Sequence, residues 1–250
     1  MNTAPGHGPA PNAEEVVRLW PLAPRRPAAE RAVGLLLALD GPDALDYPLG
    51  SRNRRLLAVH RAVVRRPVQA HVGCPACGTD NEFTLPVGRM AELPSAEAGA
   101  VARLFVDGVA LTFRLPVLAD LTRSGGRPPA GSLGALASDT CLEPPVPHLG
   151  PDDLDRLADA WEALDPAGSM RVHLSCAGCE HGIAADADPA AFVARDLDLL
   201  VEGLLREIDV IAGGYGWSEE AILRLPAERR HRYVELLTEG RSRTRRLVEA

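Results

Sequence analysis

Apolar positions set out a helical beginning, a strand-rich middle and a helical end. The longest apolar run, residues 32–39, lies in a stretch that predicts a helix over 27–40, with Pro27 in the first turn and Gly41 just past the end. A second helix is predicted from Ser51, a good N-cap. Leu56, Val59 and Val63, flanked by Leu57 and Val64, form its apolar stripe, while Arg52, Arg54, Arg55, Arg61 and Arg65 are expected to face solvent. After Pro67 the pattern shortens to strands at 69–72 and 82–87, then at 103–106 and 109–115 around Asp107-Gly108, a dipeptide suited to a two-residue hairpin turn. Residues 125–134 and 143–152 read as Gly/Pro-rich loops, with a short helix between them at 135–142.

Helical spacing returns at 153–164, where Leu154, Leu157, Trp161 and Leu164 share a face, and strands follow at 171–174 and 182–184. A long helix is then expected from Asp188-Pro189 to about residue 212, with Phe192, Val193, Leu197, Leu200, Leu204, Ile208 and Ile211 inward and Gly213-Gly214 as its end. Ser218 is placed to cap a short helix whose first turn holds Glu219 and Glu220. Pro226 opens a last helix containing Tyr233, Leu236 and Leu237, and an Arg-rich, frayed end is expected after Gly240. The implied organisation is a poorly ordered tail at 1–20, a helix-plus-knuckle domain at 21–187 with inserted hairpin and loops, and a helical region at 188–250. The fold class is α+β, a small mostly antiparallel sheet packed by helices from both ends of the chain.

The chain has 250 residues, 46% hydrophobic and 24% charged, which is ordinary for a globular protein able to bury a core. With only 4% aromatic residues, that core must rest on Leu, Val and Ala. A net charge of −7 disfavours broad nucleic-acid binding, which normally needs a positive field. The opening residues lack the basic start and apolar block of a secretory leader, and no apolar run approaches the roughly 20 residues of a membrane span. The expected location is therefore a reducing cytoplasm, where paired cysteines more often hold metals than form disulfides.

Four of the five cysteines form two Cys-x-x-Cys pairs, Cys74/Cys77 and Cys176/Cys179, each in a strand–turn–strand setting. Two residues between thiolates allow both sulfurs to reach one ion about 2.3 Å away, with backbone N–H groups facing sulfur. Four thiolates would close a tetrahedral structural zinc site, leaving no position for water or substrate. Against the usual separation of about 15–20 residues between pairs, 98 residues lie between Cys77 and Cys176, so the intervening segment must return the chain to its starting place. Two separate redox dithiols, disulfides, and half-sites completed by His71, His173 or His181 remain as alternatives. His181, two residues after Cys179, is the best substitute ligand, and Cys141 reads as a core residue.

No phosphate loop, nucleophile elbow or His-Glu-x-x-His helix is present, and the acidic residues Asp43, Asp46, Asp120 and 152–155 sit where helix capping explains them. The expectation is a non-enzyme with no small-molecule substrate.

A family resemblance adds to this reading. Tyr47-Pro48-Leu49-Gly50-Ser51-Arg52-Asn53 leads into the Arg/Leu helix and Cys-Pro-x-Cys-Gly. Phe113-Arg114-Leu115-Pro116, Ala119-Asp120-Leu121 and Leu164-Asp165-Pro166 follow, and then Tyr215-Gly216-Trp217-Ser218-Glu219-Glu220, Ile222-Leu223, Leu225-Pro226 and Arg229-Arg230-x-Arg232-Tyr233. In order and combination, over about 35–237, this resembles the baseplate hub-assembly family of contractile phage tails and extracellular contractile injection systems. The resemblance implies a structural or assembly role with hub, tube, tape-measure or other baseplate proteins as partners, and it supplies no catalytic residues. The Ala-Gly between Cys176 and Cys179 departs from the family's Pro-x. The rival reading is a zinc-stabilised nucleic-acid-binding or regulatory module acting through the arginine face at 52–66.

Overall fold

The computed structural model describes residues 11–20, 26–64, 66–97, 99–123, 133–143 and 148–248. The expected tail up to residue 10, the loop at 124–132 and Arg65 lie outside them. The chain is α+β, with antiparallel pairing distributed over three two-stranded hairpins. Two compact units meet between Arg195 and Asp196.

In the first unit, Asn12 accepts a hydrogen bond from Glu15 N and starts helix α1 (Ala13–Leu19), within the stretch expected as a tail. Val16 and Trp20 are buried, and the guanidinium of Arg31 sits 5.2 Å from the centre of the Trp20 ring. Helix α2 (Ala28–Asp40) ends at Gly41, whose φ of 80° explains the glycine there. Leu35 and Leu36 of α2, and Leu56, Leu57 and Val59 of helix α3 (Leu49–Val63), are fully buried.

Two expectations for α3 are corrected. The helix begins before Ser51, with Pro48 at its N-cap, and Ser51 is buried with its hydroxyl 3.0 Å from that of Ser95. The arginine face is also not uniformly solvated. Arg55 donates through Nε and Nη2 to Asp40, and both side chains are 3% exposed. Arg52 donates to Asn53 Oδ1 at 2.9 and 2.6 Å and lies 3.6 Å from Asp188. Their acidic partners, Asp188 and Asp40, lie outside α3, so helical periodicity along it cannot reveal them.

Strands β1 (Gln69–Gly73) and β2 (Asp80–Thr84) form the first hairpin. The strand expected through residue 87 stops earlier, because Pro86 cannot extend the ladder and helix α4 (Val87–Ala91) begins. Strands β3 (Val101–Val106) and β4 (Val109–Arg114) turn through Asp107 at φ 48° and Gly108 at φ 80°, the left-handed pair that a tight hairpin needs. Helix α5 (Leu118–Arg123) follows, with Arg114 clamping the buried Asp120 at 2.6 and 2.9 Å. Helices α6 (Leu133–Thr140) and α7 (Pro151–Leu164) contribute Ala137, Leu157 and Trp161 to one core with Leu104, Val106, Leu111 and Phe113 of the hairpin. Leu164, expected inward, is exposed at the end of its helix. Strands β5 (Arg171–Ser175) and β6 (Gly182–Asp186) complete the third hairpin.

Helix α8 (Pro189–Tyr215) runs across the boundary into the second unit, with Leu197, Val201, Leu204, Ile208 and Ile211 buried at helical spacing. Val201 takes the place expected for Leu200, and the helix continues through Gly213-Gly214 to stop at Gly216, φ 70°. Gly214 has a packing reason instead: a Cβ there would overlap the Leu237 side chain. Helix α9 (Glu219–Leu223) is capped by Ser218, which accepts from Ala221 N at 3.3 Å. Helix α10 (Ala227–Val248) follows Pro226 and extends past Gly240, where a frayed end was expected. Tyr215 and Trp217 stack at 5.0 Å, and both meet Tyr233 edge-on.

Candidate metal centre

Each Cys-x-x-Cys closes the tip of a hairpin, and the two tips share one construction. In the first, Cys74 N donates to Thr79 O at 2.8 Å and Gly78 N to Cys74 O at 2.9 Å, with Gly78 at φ 75°. In the second, Cys176 N donates to His181 O at 2.9 Å and Glu180 N to Cys176 O at 2.9 Å, with Glu180 at φ 60°. Gln69 to Arg171 and Thr84 to Asp186 are each 102 positions apart, so the repeat is in register over both strands and the turn. The burial patterns also coincide. One turn uses glycine for the left-handed residue, and the other holds a glutamate there at a conformational cost.

The tips bring all four sulfurs within 4.8 Å of one another. Cys74 Sγ lies 3.7 Å from Cys179 Sγ, and Cys77 Sγ lies 3.6 Å from Cys176 Sγ. A tetrahedron with metal–sulfur bonds of about 2.3 Å has edges of about 3.8 Å, so these separations suit four ligands of one ion. They are far above the roughly 2.05 Å of a disulfide. Cys74 and Cys176 are buried over Ile183, Val72 and Leu174, while Cys77 and Cys179 are exposed. The cluster thus has an apolar floor and a solvent-facing side.

Backbone N–H groups are aimed at sulfur, as thiolate ligands require. Gly178 N donates to Cys176 Sγ at 3.3 Å. Burial raises the Cys176 pKa, but bonds from the N–H groups of Gly178 and Cys179 and from neighbouring thiols hold it down at about 6. The Thr79 hydroxyl and N–H lower that of Cys77. Cys179 accepts the His181 N–H, which lowers its pKa, yet the neighbouring Cys77 and burial outweigh this and push it up to about 12. The backbone donors thus favour the thiolate at Cys176, and the crowding of sulfurs favours the thiol at Cys179.

Two contacts between the hairpins were not foreseen from sequence. Asn81, 5% exposed, donates to Thr79 O at 2.8 Å and accepts from Ala177 N at 2.8 Å, tying β2 to the opposite knuckle. A Cβ on Gly178 would lie 2.6 Å from Thr79 Oγ1, so the Ala-Gly sequence permits the close approach of the two turns. The register of the repeat carries a faint signal for Asn81, since its equivalent, Ile183, is a plain buried hydrophobe.

A third tie brings the β5–β6 hairpin back. Asp165, just after α7, accepts from Gly50 N at 2.7 Å and Ala96 N at 3.0 Å. Its carboxylate sits at the start of α3, where free N–H groups and the helix dipole favour negative charge. Asn53 then donates to Ala167 O at 2.8 Å. Of the alternative ligands, His71, His173 and His181 are exposed and lie outside the sulfur group, and His181 contributes its main chain instead. Cys141 is half-buried against the β3–β4 core and takes no part.

These features define a mixed α+β chain with a four-cysteine cluster that could bind a metal ion. Among the described residues, no helix is long and apolar enough to cross a membrane. No family model, curated protein or solved structure matches the chain.

Proposed function

We propose that the chain is a non-enzymatic assembly subunit of the baseplate of a contractile injection particle, with a structural zinc ion locking its two distant knuckles together. The observation that carries this reading is the clustered set of four cysteine sulfurs. Four thiolates fill a tetrahedral shell, so an ion held there organises the chain rather than activating a substrate. Zinc suits the donor set best, being borderline-soft and content with tetrahedral sulfur.

The baseplate assignment draws on the family resemblance, and the location of its residues is consistent with an organising role. Gly50, Ser51, Arg52, Asn53 and Asp165 form buried polar contacts around the start of α3 rather than lining an open cleft. In the second unit, Tyr215 and Trp217 keep 39% and 37% of their surface exposed, offering rigid aromatic area to a partner. The rival nucleic-acid reading loses support because Arg52 and Arg55 are withdrawn into internal pairs.

The test is co-expression of the tagged full chain with the tube, hub and tape-measure proteins of a contractile particle from the same genome, with metal analysis of what is recovered. The expected result is a stoichiometric complex containing one zinc per chain. A metal-bearing chain that recovers none of these proteins would overturn the baseplate assignment, and a chain without metal would overturn the zinc lock.

A further inference from the structure

A groove of about 530 Å³ lies in the first unit, between the C-terminal end of α3, the open end of the β1–β2 hairpin and the start of α4. Its floor is apolar, with Val64, Val68 and Leu85 all at most 9% exposed. Its rim carries Arg61, Arg66 and Arg89, and no Asp or Glu lines it. Neither Arg61 nor Arg89 has a carboxylate partner among the described residues. This is a basic, apolar-floored recess on a chain whose net charge is −7.

We propose that this groove is a docking site for an acidic peptide segment of a partner subunit, with one or two apolar side chains on the floor and carboxylates at Arg61 and Arg89. The volume falls within the range of small recognition pockets, about 300–1,000 Å³, which suits a short peptide segment. Charge complementarity selects the occupant: unpaired guanidinium groups beside a dry floor favour a chain that alternates carboxylates with apolar residues. An extended polyphosphate backbone has no use for the floor. The groove is built on the hairpin whose far tip carries Cys74 and Cys77, and the ladder between them continues as Leu85 N donating to Val68 O at 2.9 Å.

The inference deepens the assembly reading and rests on it only for the identity of the partner. The probe is a displayed library of random octapeptides, panned against the metal-loaded full chain. Selected sequences should be rich in Asp and Glu alternating with Leu, Ile or Phe. A synthesised winner should bind at least tenfold more weakly to Arg61→Glu/Arg89→Glu, whose exposed positions leave folding and metal content unchanged. Gly88 also lines the groove, and a Cβ there meets nothing within 4 Å. Gly88→Leu should therefore fill the recess and weaken binding similarly while keeping every charge.

Winners without acidic bias, undiminished binding by the charge-reversed chain or by Gly88→Leu, or displacement of the winner by random single-stranded DNA would overturn the proposal. Acidic winners from a chain that recovers no baseplate proteins would leave the groove standing and remove the baseplate assignment. The reverse outcome would move the assembly surface elsewhere.

Discussion

Replacing Gly50 by alanine puts a methyl group where the carboxylate of Asp165 now sits. The added Cβ would overlap Asp165 Oδ1 and lie 2.7 Å from its Cγ and 2.9 Å from Oδ2. The neighbour cannot turn away cheaply, because Asp165 is 5% exposed and its two oxygens hold Gly50 N and Ala96 N at 2.7 and 3.0 Å. Displacing it breaks both bonds and leaves a buried charge short of donors. At about 1.5–3 kcal/mol for each bond to a charged group, with some relaxation, the loss is roughly 3–5 kcal/mol. For a chain of this size that lowers the melting temperature of the first unit by roughly 10 °C.

Gly34 supplies an internal control of opposite sign. It is exposed in α2 and a Cβ there meets nothing within 4 Å, so Gly34→Ala should stabilise by about 0.5–1 kcal/mol. The assay is thermal unfolding of Co²⁺-loaded protein, followed by circular dichroism and by the absorption of the bound Co²⁺, which reports on the knuckles. In an Asp165→Ala background the clash is gone, and Gly50→Ala should add almost nothing. An undiminished cost there, or a Gly50→Ala protein that melts like the parent, would refute the argument.

Other outcomes follow from the sulfur cluster. Cys74→Ala or Cys176→Ala should abolish metal retention after dialysis, while Cys141→Ala, outside the cluster, should retain the parental metal content by elemental analysis. Metal uptake should release protons. Cys176, held at about 6, is already ionised at pH 7, whereas Cys179, raised to about 12, must surrender a proton, so affinity should rise with pH above neutrality and fall as the solution is acidified. A dye assay of proton release on Zn²⁺ addition checks this, and no release at pH 7 would contradict it. Glu180→Gly should stabilise the second knuckle by about 0.5–1 kcal/mol, because glycine takes φ 60° without steric cost. Gly78→Ala should lose a similar amount by the same reasoning, and slower chelator-driven metal loss from the Glu180→Gly chain is the measurement that decides.

What was legible in the sequence was local. The ends of α2, the Asp107-Gly108 turn, the Ser218 cap and the two cysteine pairs each depend on residues a few positions apart, and each forms as its pattern implies. The failures were long-range. Arg52 and Arg55 occupy what a helical wheel shows as a polar face, but Asp188 and Asp40 turn that face into interior. Ser51 is a good capping residue, yet the helix starts with Pro48 at its N-cap, and a carboxylate from 115 positions away takes the free N–H of Gly50 in its first turn. The glycine pair at 213–214 looks like a stop, and one of the two is there to admit Leu237. Where a glycine or a charge answers to a distant partner, neighbouring sequence carries no mark of it.

The separation between the knuckles is the feature least like an ordinary four-cysteine site, and the structure shows why it is tolerable. The 98 residues between Cys77 and Cys176 are not a slack loop. They include the β3–β4 hairpin and α7, which share a core of their own. Both ends of that insertion are fixed to α3, because Asp165 on the way out accepts from Ala96 N on the way in and from Gly50 N of the helix. Even if the segment were wholly flexible, closing 98 residues rather than about 18 would cost only about 1.5 kcal/mol more, because loop entropy grows with the logarithm of length. A structural zinc site contributes on the order of 10 kcal/mol. The long insertion is therefore a minor opposing term, and the in-register repeat of the two hairpins outweighs sequence distance as a guide to which cysteines belong together.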